Sequence, residues 1–194
     1  MIEIQRTPEP TVLARNKTRW QTKYRMAIAA YNANQSTDNL RISHVGYGHI
    51  EHYKPKSKYP ADCFEWENLL LGCEICNGSQ YKGDKFPLAH EGGPFINPCD
   101  ENPDDFFEFE FDRATGTANV IPQNRRADTT ERELGLNRPD LVKHRSDVVR
   151  KLAYVALRAR DGDADALAEL QRCMENDQEY AAFARALSKR FHLS

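Results

Sequence analysis

Residues 48–60 read GHIEHYKPKSKYP, and the fold turns on how that stretch is taken. Glu51 and His52 stand side by side after an apolar position, Ile50, and are followed by Lys54, Lys56 and Lys58. From 41 to 54 the chain alternates over short intervals and carries glycines, RISHVGYGHIEHYK, which predicts a strand pair or hairpin. Pro55 and Pro60 interrupt any ladder beyond it, because proline has no N–H to donate. Successive strand residues face opposite sides of a sheet, so a strand through 51–52 sends the acid one way and the imidazole the other.

Histidine is the side chain whose unperturbed pKa lies near neutrality, which makes His52 the candidate general base for phosphodiester hydrolysis. Chemistry at phosphate also calls for a divalent cation to neutralise charge on the non-bridging and leaving oxygens. A hard cation of that kind is held by carboxylate and amide oxygens, and Glu51, Asn68 and Asn77 are the suppliers on offer. The split between Glu51 and His52 suits a metal and an activated water lying on different sides of one phosphorus.

Composition bounds what surrounds this stretch. A chain of 194 residues can bury a real core, as one domain or one compact core with an appendage. With 29% charged and 10% aromatic residues it has the profile of a soluble globular protein rather than a disordered or fibrous one. The formal charge of −2 excludes a surface coated in positive potential, so a nucleic-acid contact has to come from a local patch or from a partner. The opening MIEIQRTPEP lacks a basic region followed by an apolar run, and no segment is apolar enough for a membrane span; the expected location is cytoplasmic. Cysteines at 63, 73, 76, 99 and 173 form no even, closely spaced framework, which fits a reducing compartment and leaves the sequon Asn16-Lys17-Thr18 without meaning.

Around the central stretch, residues 11–34 place Val12, Leu13, Trp20, Tyr24, Ile28 and Tyr31 at helical spacing, which predicts one helix, whole or broken near Lys17. FEWENLLL at 64–71 is bulky and apolar, and CEICNGSQYKGD after it starts a helix or tight loop. FFEFEF at 106–111 alternates as a strand, turns at Ala114-Thr115-Gly116 and is expected to pair with NVIP at 119–122. Thr130-Glu131-Arg132-Glu133 fits a capping box, Leu141, Val148, Val149, Leu152, Val155 and Ala156 form a stripe, and a last helix follows Asp163 with Leu167, Leu170, Met174, Phe183 and Leu187.

The order Glu51-His52, then Asn68 within WENLLLGC, then Asn77 within CEICNGSQYKGD resembles the HNH endonuclease motif. The segments IEHYKPKSKYP, FEWENLLLGCEICN, KGDKFPL, INPCDENPDDFFEF and ELGLNRPDLVKHR, spread over about 41–151, are similar to a subfamily found with ATPase partners in Septu-type and retron-associated anti-phage systems. The resemblance implies a ββα-metal hairpin and helix. It implies His52 as general base, Glu51 and Asn77 as ligands of Mg2+ or another divalent cation such as Mn2+, and Asn68 as the brace that orients the histidine.

Many relatives of this kind carry two CxxC pairs that hold a structural zinc, and here only Cys73-Glu74-Ile75-Cys76 stands; QSTDNLRISHVGYG, where the first pair would lie, has no cysteine. Structural zinc takes four ligands, so Zn2+ would need His44, His49 or Cys63 to complete the set. Otherwise Cys73 and Cys76 are small buried hydrophobes.

Lys54, Lys56, Lys58, Lys82 and Lys85 flank the hairpin on both sides and read as a phosphate-backbone patch, although a solvated face is the blander account. Of these, Lys82 is best placed in sequence to touch the leaving phosphate. The carboxylates between Asp100 and Asp112 read as a turn plus an amphipathic strand with Phe107, Phe109 and Phe111 inward, rather than as a metal site. His44, His90, His144 and His192 lack comparable acidic or asparagine neighbours and read as structural.

The expectation is therefore an α+β protein: an N-terminal helical segment over 1–40, an HNH nuclease core over 41–125 and a C-terminal helical region over 126–194. Its expected activity is metal-dependent hydrolysis of nucleic acid, DNA ahead of RNA, as effector of an anti-phage complex with an ABC-type ATPase. Two alternatives stand beside it: a catalytically inactive HNH-derived scaffold or nucleic-acid-binding adaptor in the same complex, and a zinc-stabilised interaction module.

Overall fold

The computed structural model describes residues 8–34, 49–176 and 178–193. It is a mixed α and β chain with small antiparallel sheets, compatible with an α+β class. By contact the described residues divide into two compact units, one up to residue 87 and one from residue 88 on. None of the described helices is long and apolar enough to cross a membrane.

The first unit opens with α1 (Thr11–Asn34), which runs through Lys17 without a break. Lysine is a good helix former, and the Lys17 ammonium lies 3.5 Å from the Glu9 carboxylate and 2.9 Å from that of Glu65. Leu13 is buried, whereas Val12, expected on the same stripe, is 61% exposed. Trp20 meets Phe64 with ring centroids 5.9 Å apart, and Gln21 donates to the carbonyl of Pro60.

β1 (His49–His52) pairs antiparallel with β2 (Leu69–Gly72), in a register that sets Glu51 opposite Leu70 and His52 opposite Leu69. Among the described residues the partner of β1 comes from the end of the apolar run 64–71; the expected pairing within 41–54 involves residues 41–48, which lie outside the described residues. The long connection between the strands is tied down in short turns. Lys58 and Tyr59 donate to the carbonyl of Pro55, single helical turns form at Pro60–Asp62 and Trp66–Asn68, and Tyr53 and Tyr59 both meet Phe86 edge-on at 5.2 and 5.4 Å. After β2 the chain makes one helical turn, α2 (Glu74–Asn77), which packs against β1.

The second unit is built on the hairpin of β3 (Phe107–Asp112) and β4 (Thr117–Pro122), in the register Phe109 opposite Val120 and Phe111 opposite Ala118. Phe107, Phe109, Phe111, Ala118 and Val120 are buried, as the alternation predicts, and Glu108 and Glu110 face out. The tight turn needs a residue at positive φ, which Gly116 supplies at 70°, while the Asp112 carboxylate accepts from Ala114 N–H and Thr115 Oγ1.

The outward backbone groups of β4 would be costly if covered without partners. Side chains satisfy them: Ser146 Oγ accepts from Ala118 N–H, Arg145 donates to the Ala118 carbonyl, and the Asn137 amide both accepts from Val120 N–H and donates to its carbonyl. Arg145 is buried and spends its remaining donors on the Leu136 carbonyl and Asn137 Oδ1, each at 2.8 Å.

Three helices pack on this sheet, α3 (Arg125–Leu134), α4 (Pro139–Arg160) and α6 (Ala181–Phe191), and α5 (Ala164–Cys173) packs against α4 and α6. Two expectations are corrected here. The capping box at Thr130 does not form, because Asn124 caps α3 by accepting from Ala127 N–H, and Thr130 lies buried mid-helix, with Oγ1 accepting from Ile96 N–H and donating to the Arg126 carbonyl. The single last helix after Asp163 is two: Asp163 does cap α5, but that helix stops at Cys173, and α6 starts after Tyr180, whose φ of 57° reverses the chain. The break lets Leu170 and Phe183 enter the core from separate helices.

Candidate functional site

The residues singled out by sequence converge on the β1–β2 hairpin and the turns that follow it. Strand alternation divides Glu51 from His52 as expected. The Glu51 carboxylate turns inward to an ion pair with Lys82, while the His52 ring turns toward Cys63.

His52 Nε2 lies 3.0 Å from the carbonyl oxygen of Cys63. A carbonyl oxygen can only accept, so Nε2 carries the proton and Nδ1 is left with the lone pair. Burial, followed by the positive charge of Lys56, pulls the imidazole pKa below its ordinary 6.5, against the opposing bond to Cys63 and with a smaller push from Lys82. At neutral pH the ring is therefore uncharged, with a basic nitrogen at Nδ1. Cys63 Sγ also sits 3.6 Å from Nε2; the thiol is buried, which pushes its pKa up to about 11 and keeps it protonated.

Glu51 is only 7% exposed. Oε1 meets the Lys82 ammonium, whereas Oε2 is buried and has no hydrogen-bond partner among the described residues. Burial raises the carboxyl pKa, with Lys82 and then Lys56 pulling the other way. A buried carboxylate oxygen left unpaired is expensive, and a hard cation is the ligand such an oxygen fits. Asn77, the other oxygen donor expected from the sequence, is carried on α2 against β1, and its N–H donates to the Cys73 carbonyl, 3.0 Å away.

Asn68 is 5% exposed and acts as a clamp on the connection. Its Oδ1 accepts from Lys54 N–H at 2.7 Å, and its Nδ2 donates to the carbonyls of Lys54 at 3.1 Å and Asp62 at 2.9 Å. Its own carbonyl accepts from Tyr53 N–H, so the residue following His52 is held by the same amino acid.

The lysines separate into distinct roles. Lys82, read from sequence as a contact for the leaving phosphate, is 4% exposed, and its ammonium points inward to Glu51 and, at 2.7 Å, to the His52 carbonyl. Lys54 pairs with Asp62 at 3.0 Å and lies over the Tyr59 ring. Lys58 is exposed, and Lys56 and Lys85 are half-buried. Lys56 is the one whose charge bears on Glu51, His52 and Cys63 together.

Cys73 and Cys76 face each other with sulfurs 3.3 Å apart, and Cys73 Sγ accepts from Cys76 N–H. Cys73 is exposed and Cys76 half-buried, so neither is the buried hydrophobe of the blander account. Cys63, offered as a further zinc ligand, is engaged beside His52; His44 lies outside the described residues, and among those described no group of three or more His, Cys, Asp or Glu side chains could hold a metal. Sequence reasoning missed the Cys63 carbonyl that sets the His52 tautomer, since a backbone oxygen leaves no signature in residue type.

No family model matches the chain, and no solved structure matches it. The chain is similar to the Septu protein PtuB of Bacillus mycoides (strain KBAB4), 23% identical over 242 aligned positions that cover 91% of this chain and 80% of that relative. It is also similar to the Septu protein PtuB of Bacillus thuringiensis, 37% identical over 57 residues, 29% of this chain and 20% of that relative. These likenesses support a relationship to Septu-type proteins.

Proposed function

We propose that this chain is a metal-dependent nuclease of the HNH type and the effector of an anti-phage defence complex with an ABC-type ATPase. The observation that carries the reading is the pairing of a neutral His52, protonated at Nε2 by its bond to Cys63, with a neighbouring carboxylate that keeps a buried oxygen unpartnered. The likeness to Septu proteins supports the defence setting.

In this reading Glu51 and Asn77 hold the cation, Mg2+ or Mn2+, and that ion supplies neutralisation of charge on the phosphate oxygens. His52 takes a proton from water at Nδ1, while the Cys63 carbonyl accepts the Nε2 proton throughout and steadies the imidazolium that forms. Asn68 keeps the backbone after His52 in place. Lys56, Lys58 and Lys85, with Lys54 when it is released from Asp62, hold the phosphate backbone of DNA, or of RNA as the second choice.

The test is plasmid DNA incubated with the chain and its ATPase in Mg2+ or Mn2+, beside His52→Ala and a chelator control. Nicking by the wild type that is lost in both controls is the expected outcome; equal inertness of wild type and His52→Ala in an assembled complex contradicts it. That second outcome belongs to a catalytically silent scaffold, a reading favoured by one feature, the closure of Lys82 onto the same carboxylate.

A further inference from the structure

Lysine is among the residues least often fully buried, and a buried ammonium is tolerated only when paired. Lys82 is 4% exposed and directs Nζ at the carboxylate of Glu51 and the carbonyl of His52, 2.7 Å away. An ordinary structural ion pair of a buried carboxylate would leave both oxygens satisfied. Here the pair is one-sided: Oε1 has the ammonium, and Oε2, which is buried, has no hydrogen-bond partner among the described residues.

The backbone of Lys82 belongs to the same construction. Its N–H donates to the Cys76 carbonyl at 3.1 Å, so the lysine is anchored on the turn that carries Asn77 while its side chain reaches back to β1. Through its ammonium and its backbone N–H, Lys82 thereby ties together the carboxylate, the end of the strand at His52 and the turn that carries Asn77.

We propose that Lys82 is an internal stand-in for the divalent cation: its ammonium holds the Glu51 carboxylate in position in the metal-free chain and lowers the affinity with which the cation then binds. This rests on Glu51 being a metal ligand. An ion at Oε2 has to share one carboxylate with a positive charge already on Oε1, and like charges at such separation repel strongly where water is excluded. The lysine therefore keeps the site folded without metal, at the expense of metal affinity. Lys82 is on this account a positioning residue and not a contact for substrate.

The experiment compares chelator-treated wild type with Lys82→Gln, which keeps an N–H donor and removes the charge, and Lys82→Arg, which keeps the charge. Mn2+ titration calorimetry and thermal unfolding are the readouts. Lys82→Gln is expected to unfold at a lower temperature than wild type without metal, to regain that loss in saturating Mn2+, and to bind Mn2+ about tenfold more tightly, the direction required by removing a like charge. Lys82→Arg is expected to track wild type. If Lys82→Gln does not fold in chelator, refolding in Mn2+ recovers it; failure of Mn2+ to do so overturns the proposal. Unchanged or weaker Mn2+ binding by a folded Lys82→Gln also overturns it, while wild-type binding that Glu51→Gln abolishes leaves the metal reading standing. Absence of Mn2+ binding in wild type and Lys82→Gln alike overturns both.

Discussion

Asn68 grips Lys54 by both of its backbone groups, accepting from its N–H at 2.7 Å and donating to its carbonyl at 3.1 Å. Because Lys54 stands two residues after His52, the amide fixes where the strand ends and where the imidazole begins its turn toward Cys63. Asn68→Ala leaves three backbone groups without their partner, those of Lys54 and the Asp62 carbonyl. At about 1 kcal/mol for each hydrogen bond, the expected loss is roughly 3 kcal/mol, read by urea unfolding. Asn68→Asp is expected to be no better, since it sets a carboxylate against two carbonyl oxygens. A loss under about 1 kcal/mol for either would mean that the clamp is incidental.

The His52 imidazole has its pKa pulled below the ordinary 6.5, by burial first and by the charge of Lys56 second. Only the deprotonated ring can accept a proton, so the acid limb of the proposed nuclease activity is expected to have its half-point below pH 6.5. Lys56→Glu removes one of the charges lowering that pKa and should move the acid limb upward. A limb already complete above pH 7 in wild type would show that the titrating base is some other group.

Cys63 is fully buried and its thiol is pushed up to about 11. Thiolate is the reactive form, so alkylation of the native chain in mildly alkaline buffer is expected to spare Cys63 while modifying the exposed Cys73. Peptide mapping checks this. Cys63 should become reactive only in denaturant, and prompt native labelling would contradict its packing beside His52.

In the second unit, Arg126 donates to the carbonyls of Pro94 and Phe95 and forms a two-pronged pair with Glu101. Burial pushes the Glu101 carboxyl up, but the Arg126 bonds, the Asn97 N–H and the Arg126 charge outweigh it and hold the pKa below the ordinary range. A depressed folded-state pKa means that this stabilisation is present above the unfolded value and is lost as pH falls through the folded one. Arg126→Met is expected to cost about 2–3 kcal/mol at neutral pH, with the gap to wild type narrowing on acidification. A gap independent of pH would remove Glu101 from the account.

Phe183, 1% exposed, meets Phe109 edge-on at 5.2 Å and joins α6 to the β3–β4 hairpin. Phe183→Ala is expected to cost about 3–5 kcal/mol by denaturant unfolding.

The parts of the fold that were legible in the sequence are those whose cause is local. Phe107, Phe109 and Phe111 alternate with acids because one face of β3 is buried, and period-2 patterning reads that directly. Thr130 misled because its hydroxyl, in a spacing that also marks a helix start, is used here to hold Ile96 from mid-helix, a contact 34 residues away in sequence. The start of α6 follows the left-handed backbone of Tyr180, a residue type that gives no warning of it. In the candidate site, strand alternation foretold the divergence of Glu51 and His52. The inward turn of Lys82 did not show, because a lysine among other lysines reads as solvated until its neighbours in space are known.

The central claim is that a hard cation belongs between Glu51 and Asn77, beside an imidazole that stays off the metal. A structure of the chain soaked in Mn2+, with anomalous scattering collected to locate the ion, tests it most directly. The account predicts one manganese peak within about 2.5 Å of an oxygen from each of those two side chains, with His52 still bonded through Nε2 to Cys63 and Nδ1 unligated. Manganese found elsewhere, or an imidazole nitrogen in its coordination sphere, contradicts it.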